Sequence, residues 1–276
     1  MLLDPWELVD FGIGVARETG RLLMGELPLG RWRGDDVEKK AGRELVSRVD
    51  RSAEKLIVRR IHDRFPDHAI RSEESGETHG NGERAYRWIV DPLDGTTNFL
   101  HGHPMFAVSI AVERMHPEAQ APADLVAAVI YLPYFSEIFI AARGQGAFMN
   151  SRTIQLSVSE TKDLSDALVA TGFAYERERF PNYENFVRVA DKTRGIRRCG
   201  AAAIDLAYVA AGRYDAFWEL GLRSHDVAAG ALLIQEAGGR IGDFKGGDDW
   251  LESGHVIATN ARLFDPLREL LVSAPS

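Results

Sequence analysis

Two aspartates three residues apart close a short apolar run and precede turn-forming and hydroxyl residues. The segment reads Asp91-Pro92-Leu93-Asp94-Gly95-Thr96-Thr97-Asn98-Phe99. Two carboxylates this close repel each other unless a cation lies between them, and oxygen ligands suit Mg²⁺. The glycine and the two threonines offer backbone N–H groups and hydroxyls to an anion. Carboxylates beside an anion cradle predict metal ions that bridge a phosphate ester to the protein.

Three further segments accompany this one in a fixed order. They are Ser72-Glu73-Glu74-Ser75, Arg197-Arg198-Cys199-Gly200-Ala201-Ala202-Ala203, and Trp218-Glu219-Leu220-Gly221-Leu222 leading into His225-Asp226-Val227-Ala228-Ala229-Gly230. Together with the first segment they resemble the signatures of the inositol monophosphatase family, which are metal-dependent, lithium-sensitive phosphatases. The matches run from about residue 39 to 239. The resemblance implies the layered α-β-α-β-α sandwich of these sugar phosphatases.

The resemblance also implies a set of metal ligands. Glu73, Asp91 and the carbonyl of Leu93 are expected to hold a first Mg²⁺. Asp91, Asp94 and Asp226 are expected to hold a second. The family pattern implies two or three Mg²⁺ per site, for which Mn²⁺ can substitute. Asp226 also falls in the first turn of a predicted helix, where the helix dipole alone favours a carboxylate.

The catalytic roles implied by the resemblance fall on acids and a hydroxyl. Glu73 with Thr96 is expected to orient and deprotonate the attacking water, with Asp94 and Asp50 beside them. Asp50 and Lys39 match positions near an outer third metal. Asp50 has an alternative explanation, because it occupies the third helical position of a predicted capping box. Lys39 stands in a charged stretch and is equally typical of a solvated surface.

The substrate contacts implied by the resemblance come from both halves of the chain. The N–H groups of Gly95 and Thr96, with Thr97 beside them, are expected to hold the phosphate. The residues expected to face the alcohol are Asp94, Gly200, Ala201, Ala202, Glu219 and Asp226. Glu219 favours a polyol, since a carboxylate accepts hydrogen bonds from hydroxyls. The resemblance implies hydrolysis of myo-inositol monophosphate as the expected reaction. Histidinol phosphate, fructose 1,6-bisphosphate, 3′-phosphoadenosine 5′-phosphate and NADP remain alternative substrates.

Three positions depart from the family pattern. His225 stands where the family usually has Trp, Ala201 replaces a common Ser or Thr, and Ser72 replaces Gly. The imidazole of His225 either adds pH sensitivity or is satisfied by backbone hydrogen bonds. His101 and His103 follow the first segment, but carboxylates dominate the site and do not favour zinc.

Two other functions compete with this hypothesis. Haloacid dehalogenase-type phosphatases use an Asp-x-Asp-x-Thr motif with one residue between the aspartates, whereas Pro92 and Leu93 make two here. A binding or regulatory protein that retains the fold is the other alternative. The intact set of ligands argues against loss of the chemistry.

Helices and strands are predicted around these segments. Asp4-Pro5 predicts a helix that ends near Gly25, and a second helix from Ser47 ends before Pro66. Apolar runs predict strands at 86–90, 105–112, 125–132, 137–142, 154–158, 167–171, 214–218 and 255–259. Further helices are predicted at 182–192, 201–211, 224–237 and 263–271. We expect one domain over residues 1–276, with a possible seam near 150 between a metal and phosphate half (1–150) and a substrate half (151–276).

Composition narrows the class of protein. The chain has 276 residues, 45% of them hydrophobic, and acidic residues outnumber basic ones by 41 to 33. The net charge of −8 argues against a nucleic-acid or anionic membrane surface. One cysteine, Cys199, excludes a disulfide within the chain. The N-terminus lacks the pattern of a signal peptide, so a cytoplasmic protein is expected. The resemblance implies a homodimer.

Overall fold

The structure is a computed structural model. It describes residues 3–27, 37–39, 45–78, 86–115 and 124–271; of 37–39 and 45–47 it describes the backbone. The helices are α1 Pro5–Glu26, α2 Arg48–Arg64, α3 Thr96–Leu100, α4 Tyr183–Ala190, α5 Ala202–Ala210, α6 Ser224–Glu236, α7 Trp250–Ser253 and α8 Phe264–Leu270. Within these ranges no helix is long and apolar enough to cross a membrane.

The larger sheet contains seven strands in the order β4-β3-β5-β6-β7-β8-β9. These strands are β3 Ala69–Ser72, β4 Gly76–Thr78, β5 Tyr86–Asp94, β6 Ala107–Arg114, β7 Asp124–Leu132, β8 Glu137–Ala142 and β9 Ala147–Met149. Only β3 and β5 pair in parallel, whereas the other neighbours in this sheet are antiparallel. The prediction of a largely antiparallel sheet here is therefore confirmed, as short connections between strands require.

The smaller sheet contains five strands in the order β11-β10-β12-β14-β13. They are β10 Leu168–Thr171, β11 Gly195–Arg197, β12 Ala216–Glu219, β13 Arg240–Gly242 and β14 Val256–Thr259. A separate antiparallel pair is formed by β1 Val37–Lys39 and β2 Leu45–Ser47. Strands β10 and β12 run parallel and end at the same edge of the sheet, which places Glu219 at that edge.

Helices lie outside and between the two sheets. α1 and α2 pack on the seven-stranded sheet, and α8 packs on the five-stranded sheet beside α4. α5 and α6 contact strands of both sheets and fill the space between them. The core around these two helices contains Ile89 and Ala128 of the larger sheet, Leu206 and Leu232 of the helices, and Phe217 of the smaller sheet. The arrangement is an α-β-α-β-α sandwich, and the predicted fold is confirmed.

The N-terminal helix follows the local signals in its sequence. Asp4 accepts a hydrogen bond at Oδ1 from the N–H of Trp6 at 3.0 Å, and Pro5 occupies the first helical position. Ala16 and Leu23 of this helix are fully buried. One predicted strand is wrong, because residues 154–158 form no strand and make a single antiparallel bridge from Gln155 to Phe148.

Candidate metal and phosphate site

The first pair of aspartates lies at the irregular end of β5. The pairing of β5 with β6 shifts register between Asp91 and Asp94, so Pro92 and Leu93 form a bulge. Asp91 accepts a hydrogen bond at Oδ1 from the N–H of Leu93 at 3.0 Å. Bulges redirect side chains, and this one brings both carboxylates to the same cavity. Both aspartates are buried, with relative exposures of 2% and 8%.

Gly95 makes the turn from β5 into α3 possible. Its φ of 88° is in the left-handed region, and a Cβ there would lie 2.7 Å from the carbonyl oxygen of Met105. Thr96, the next residue, places its hydroxyl 2.8 Å from Asp50 Oδ1 and 3.2 Å from the carbonyl oxygen of Leu93. The sequence placed Asp50 near an outer metal, and the structure gives it a buried contact with this hydroxyl.

Glu73 comes from a turn that α2 holds in place. The turn follows β3, and the N–H groups of Glu74 and Ser75 donate to the two carboxylate oxygens of Glu54 at 2.8 and 2.9 Å. Glu54 is 5% exposed, and its role as the acceptor that holds this turn was not predicted. The signal for it is an acid next to Ala53 on the buried face of a helix.

Asp226 reaches the same cavity from the start of α6. Its Oδ2 accepts a hydrogen bond from the backbone N–H of Arg223 at 2.7 Å, so it caps its own helix. The neighbouring His225 is buried, and its Nε2 lies 3.8 Å from Asp226 Oδ1. Asp226 therefore both stabilises the start of its own helix and lines the cavity.

Carboxylates from three of these segments, together with His225, form two groups suited to a cation. Within the part of the chain that the structure describes, ligand atoms of Glu73, Asp91 and His225 lie within 4.8 Å of one another. Atoms of Asp91, Asp94 and Asp226 do the same, so Asp91 belongs to both groups. The second group offers oxygen donors alone, which suit Mg²⁺ or Mn²⁺, and the first adds one imidazole nitrogen.

The pKa values of these acids reflect their burial together. Burial, and then the charges of Glu73, Asp94 and Asp226, raise the pKa of Asp91 well above its usual range. Burial and the charge of Asp226 raise the pKa of Asp94 to about 8, although the N–H of Ala203 donates to its Oδ2 at 2.8 Å. The cluster therefore repels itself, which is the electrostatic condition that a bound cation relieves.

The far side of the cavity belongs to the smaller sheet and α5. Glu219 ends β12, is 8% exposed, and lies against Gly172, where a Cβ would be 2.0 Å from Glu219 Oε2. Asp205 of α5 also lines the cavity and has one oxygen, Oδ1, without a hydrogen-bond partner. Burial, and then the charge of Asp205, raise the pKa of Glu219 well above its usual range. Asp205 was not singled out, although a lone acid in an apolar helix is a signal for it.

The loop that carries Gly200 is tied to the first segment. Asn98 donates through Nδ2 to the carbonyl oxygens of Cys199 at 2.9 Å and Met105 at 2.6 Å. Most of the predicted site residues line the cavity, namely Glu73, Asp91, Leu93, Asp94, Gly95, Thr96, Gly200, Ala201, Ala202, Glu219 and Asp226. Thr97 and Asp50 are not among its lining residues; the Thr97 hydroxyl lies 3.3 Å from the Tyr175 hydroxyl. The side chain of Lys39 lies outside the described residues.

Comparisons with known proteins agree with this geometry. A model of the inositol monophosphatase family matches residues 4–274. The chain is 45% identical to Nus factor SuhB of Pseudomonas aeruginosa over 94% of each chain. It is 43% identical to an inositol-1-monophosphatase of Mesorhizobium japonicum, over 92% of this chain and 91% of that one. The structure of inositol monophosphatase from Anabaena (Nostoc) superposes with a TM-score of 0.83 at 36% identity, covering 98% of this chain and 97% of that one. The fold, the acidic cluster and these matches together show that the chain belongs to the inositol monophosphatase family of metal-dependent phosphatases.

Proposed function

We propose that this chain is a Mg²⁺-dependent phosphomonoesterase that hydrolyses myo-inositol monophosphate to inositol and phosphate. The observation that carries the proposal is the shared position of Asp91 in two groups of ligand atoms, each within 4.8 Å. Glu73 and the Leu93 carbonyl would complete one metal position. Asp94 and Asp226 would complete the other. When bound, the cations supply Lewis-acid activation of water and charge neutralisation at the phosphate and the leaving oxygen.

The protein's own residues orient the attacking water. The Thr96 hydroxyl donates its hydrogen to Asp50 Oδ1 at 2.8 Å, which leaves the hydroxyl oxygen able to accept a hydrogen bond from water. Glu73 lines the same cavity, and we assign it as the second acceptor, which takes up the proton. Two acceptors fix the direction in which the lone pair of the water points. Asp50 thus acts through Thr96 rather than on the substrate.

Binding of the alcohol is proposed for the opposite wall. The carboxylate of Glu219 and the unpartnered Oδ1 of Asp205 offer buried acceptors to hydroxyl groups. Such acceptors support a polyol, because apolar or hydroxyl-poor esters would leave them unpaired in the complex. Gly200, Ala201 and Ala202 lie beside them without bulky side chains. Phosphate binding is proposed for the N–H groups of Gly95 and Thr96, with Thr97 at their edge.

The test is phosphate release from a panel of esters with the purified full chain. Myo-inositol monophosphate, histidinol phosphate, fructose 1,6-bisphosphate, 3′-phosphoadenosine 5′-phosphate and NADP are compared with and without Mg²⁺, Mn²⁺ and Li⁺. We expect the highest kcat/KM for inositol monophosphate, dependence on the divalent ion and inhibition by Li⁺. Asp94→Asn should abolish release, whereas the exposed control Asp248→Asn should not. Full activity of Asp94→Asn would refute the assignment of the metal ligands.

A second candidate is a non-catalytic binding role. It is favoured by the relative in Pseudomonas aeruginosa that carries the name Nus factor SuhB at 45% identity. The two candidates separate in one experiment, in which a partner is captured from lysate on wild type and on Asp94→Asn. A partner retained equally by both forms supports a binding role independent of catalysis. Size-exclusion chromatography with light scattering on the same samples checks the expected homodimer.

A further inference from the structure

A histidine stands among the acids of the candidate metal site. His225 is 7% exposed, lines the cavity, and places a ring nitrogen within 4.8 Å of carboxylate oxygens of both Glu73 and Asp91. The distance from its Nε2 to Asp226 Oδ1 is 3.8 Å, which is longer than a hydrogen bond. The ring nitrogen therefore belongs to the group of ligand atoms that Glu73 and Asp91 form.

The backbone fixes His225 relative to Asp91. The carbonyl oxygen of His225 accepts a hydrogen bond from Ser109 Oγ at 3.3 Å. Ser109 lies on β6 directly opposite Asp91 in the register of the sheet. Ser109 is 1% exposed, so this link is shielded from water. A short buried connection therefore joins the two residues and holds the backbone of His225 close to Asp91.

The chemistry of this position differs from that of the family pattern. A tryptophan at 225 offers an indole N–H donor and no lone pair for a metal, whereas a neutral imidazole offers one. Mg²⁺ takes oxygen ligands almost exclusively, whereas imidazole nitrogen suits Zn²⁺ and is accepted more readily by Mn²⁺ than by Mg²⁺. Two carboxylates with one imidazole form a mixed donor set of the second kind.

We propose that His225 is a nitrogen ligand of the metal held by Glu73 and Asp91, and that it shifts this position from Mg²⁺ towards Mn²⁺ or Zn²⁺. The inference rests on the proposed function, because it takes that metal position as real. The second position, with Asp91, Asp94 and Asp226, keeps an all-oxygen donor set. The chain would then hold two unlike metal positions that share one carboxylate.

The experiment is pulsed electron paramagnetic resonance of Mn²⁺ bound to the full chain, with the metal titrated until both positions are filled. Direct ligation predicts a nitrogen coupling in the wild type, which changes when the histidines are labelled with ¹⁵N. His225→Trp, which restores the family residue, should lose the coupling and weaken Mn²⁺ binding about tenfold or more. Its affinity for Mg²⁺ should change less. The exposed His62→Gln serves as a matched control and should keep the coupling.

The outcomes separate this inference from the proposed function. Mn²⁺ that saturates the wild type without any nitrogen coupling overturns the role of His225 and leaves the metal-dependent phosphatase standing. Failure of the wild type to bind Mn²⁺ overturns both. The ¹⁵N measurement needs no substitution, so it decides the question even if His225→Trp does not fold. Coupling that persists in a folded His225→Trp also refutes the assignment.

Discussion

Replacement of Asp94 by asparagine should stabilise the metal-free protein while it abolishes stabilisation by Mg²⁺. Burial and the charge of Asp226 raise the pKa of Asp94 to about 8. The N–H of Ala203 donates to its Oδ2 at 2.8 Å, and the amide oxygen of asparagine can accept the same hydrogen bond. The substitution therefore removes the ionisable group and keeps the contact, so the change in stability reports the cost of keeping this carboxyl in the cluster.

The size of the effect follows from the linkage between protonation and folding. The pKa of an aspartate in the unfolded chain is about 3.9. Between that pH and about pH 8, the folded protein therefore holds a proton that the unfolded chain has released. Stability must then fall as the pH rises through this window. At pH 7 the gap of about three units corresponds to about 4 kcal/mol. Because neighbouring acids share the repulsion, we expect Asp94→Asn to gain about 2–4 kcal/mol, or about 4–16 °C in Tm.

The assay is urea and thermal unfolding of chelator-treated wild type and variant at pH 5, 6, 7 and 8. The gain from the substitution should be small at pH 5 and increase towards pH 8. Added Mg²⁺ should raise the Tm of the wild type, more at pH 8 than at pH 6, and leave that of the variant unchanged. Asp248→Asn, an exposed acid, should show neither effect. A gain that is absent, or that does not depend on pH, would refute the argument from buried like charges.

Three other substitutions test the supports of the site. Glu54→Ala removes the carboxylate that accepts hydrogen bonds from the two N–H groups of the turn after β3. Titration calorimetry should therefore show Mg²⁺ affinity reduced about 10–100-fold. An unchanged affinity would show that the metal site does not depend on this contact. Gly172→Ala should raise KM for the ester in steady-state kinetics without altering Mg²⁺ affinity, because its Cβ would lie 2.0 Å from Glu219 Oε2 and displace that carboxylate. Equal KM values would exclude Glu219 as a substrate contact. Gly95→Ala should lower the free energy of unfolding in urea by about 1–3 kcal/mol, because φ is 88° and the added Cβ would lie 2.7 Å from the Met105 carbonyl oxygen. An unchanged free energy of unfolding would show that the turn relaxes.

Elements with strong local signals were predictable from the sequence. α1 begins at Pro5 because Asp4 caps it, and α6 begins at Ser224 as expected. The predicted strand at 154–158 failed because its alternating pattern makes one bridge and no ladder. Strand β3, which has only the four residues Ala69–Ser72, was not predicted. It is too short to show a period, and its pairing with β5 is a tertiary contact.

The acids of the site were predictable as residues and not as an arrangement. Their motifs marked Asp91 and Asp94, but the bulge between them appears only in the pairing of β5 with β6. Glu54 and Asp205 escaped notice because a single acid on a helix carries no motif. Their importance comes from burial, with exposures of 5% and 1%, and burial is a property of the folded chain.

The acidic cluster also joins the seven-stranded sheet to the two helices that lie between the sheets. Asp94 ends a strand of the seven-stranded sheet, and its partner Ala203 lies in the first turn of α5, which contacts both sheets. Asp226 lies in the first turn of the neighbouring helix α6 and shares a ligand group with Asp94. Repulsion between these two carboxylates therefore acts to separate the sheet from the helices, and a cation between them would hold the two together. The stability that the protein gains from a bound metal should for this reason depend on the carboxylate that Asp94→Asn removes. The same side chain would then contribute both to the stability of the fold and to catalysis.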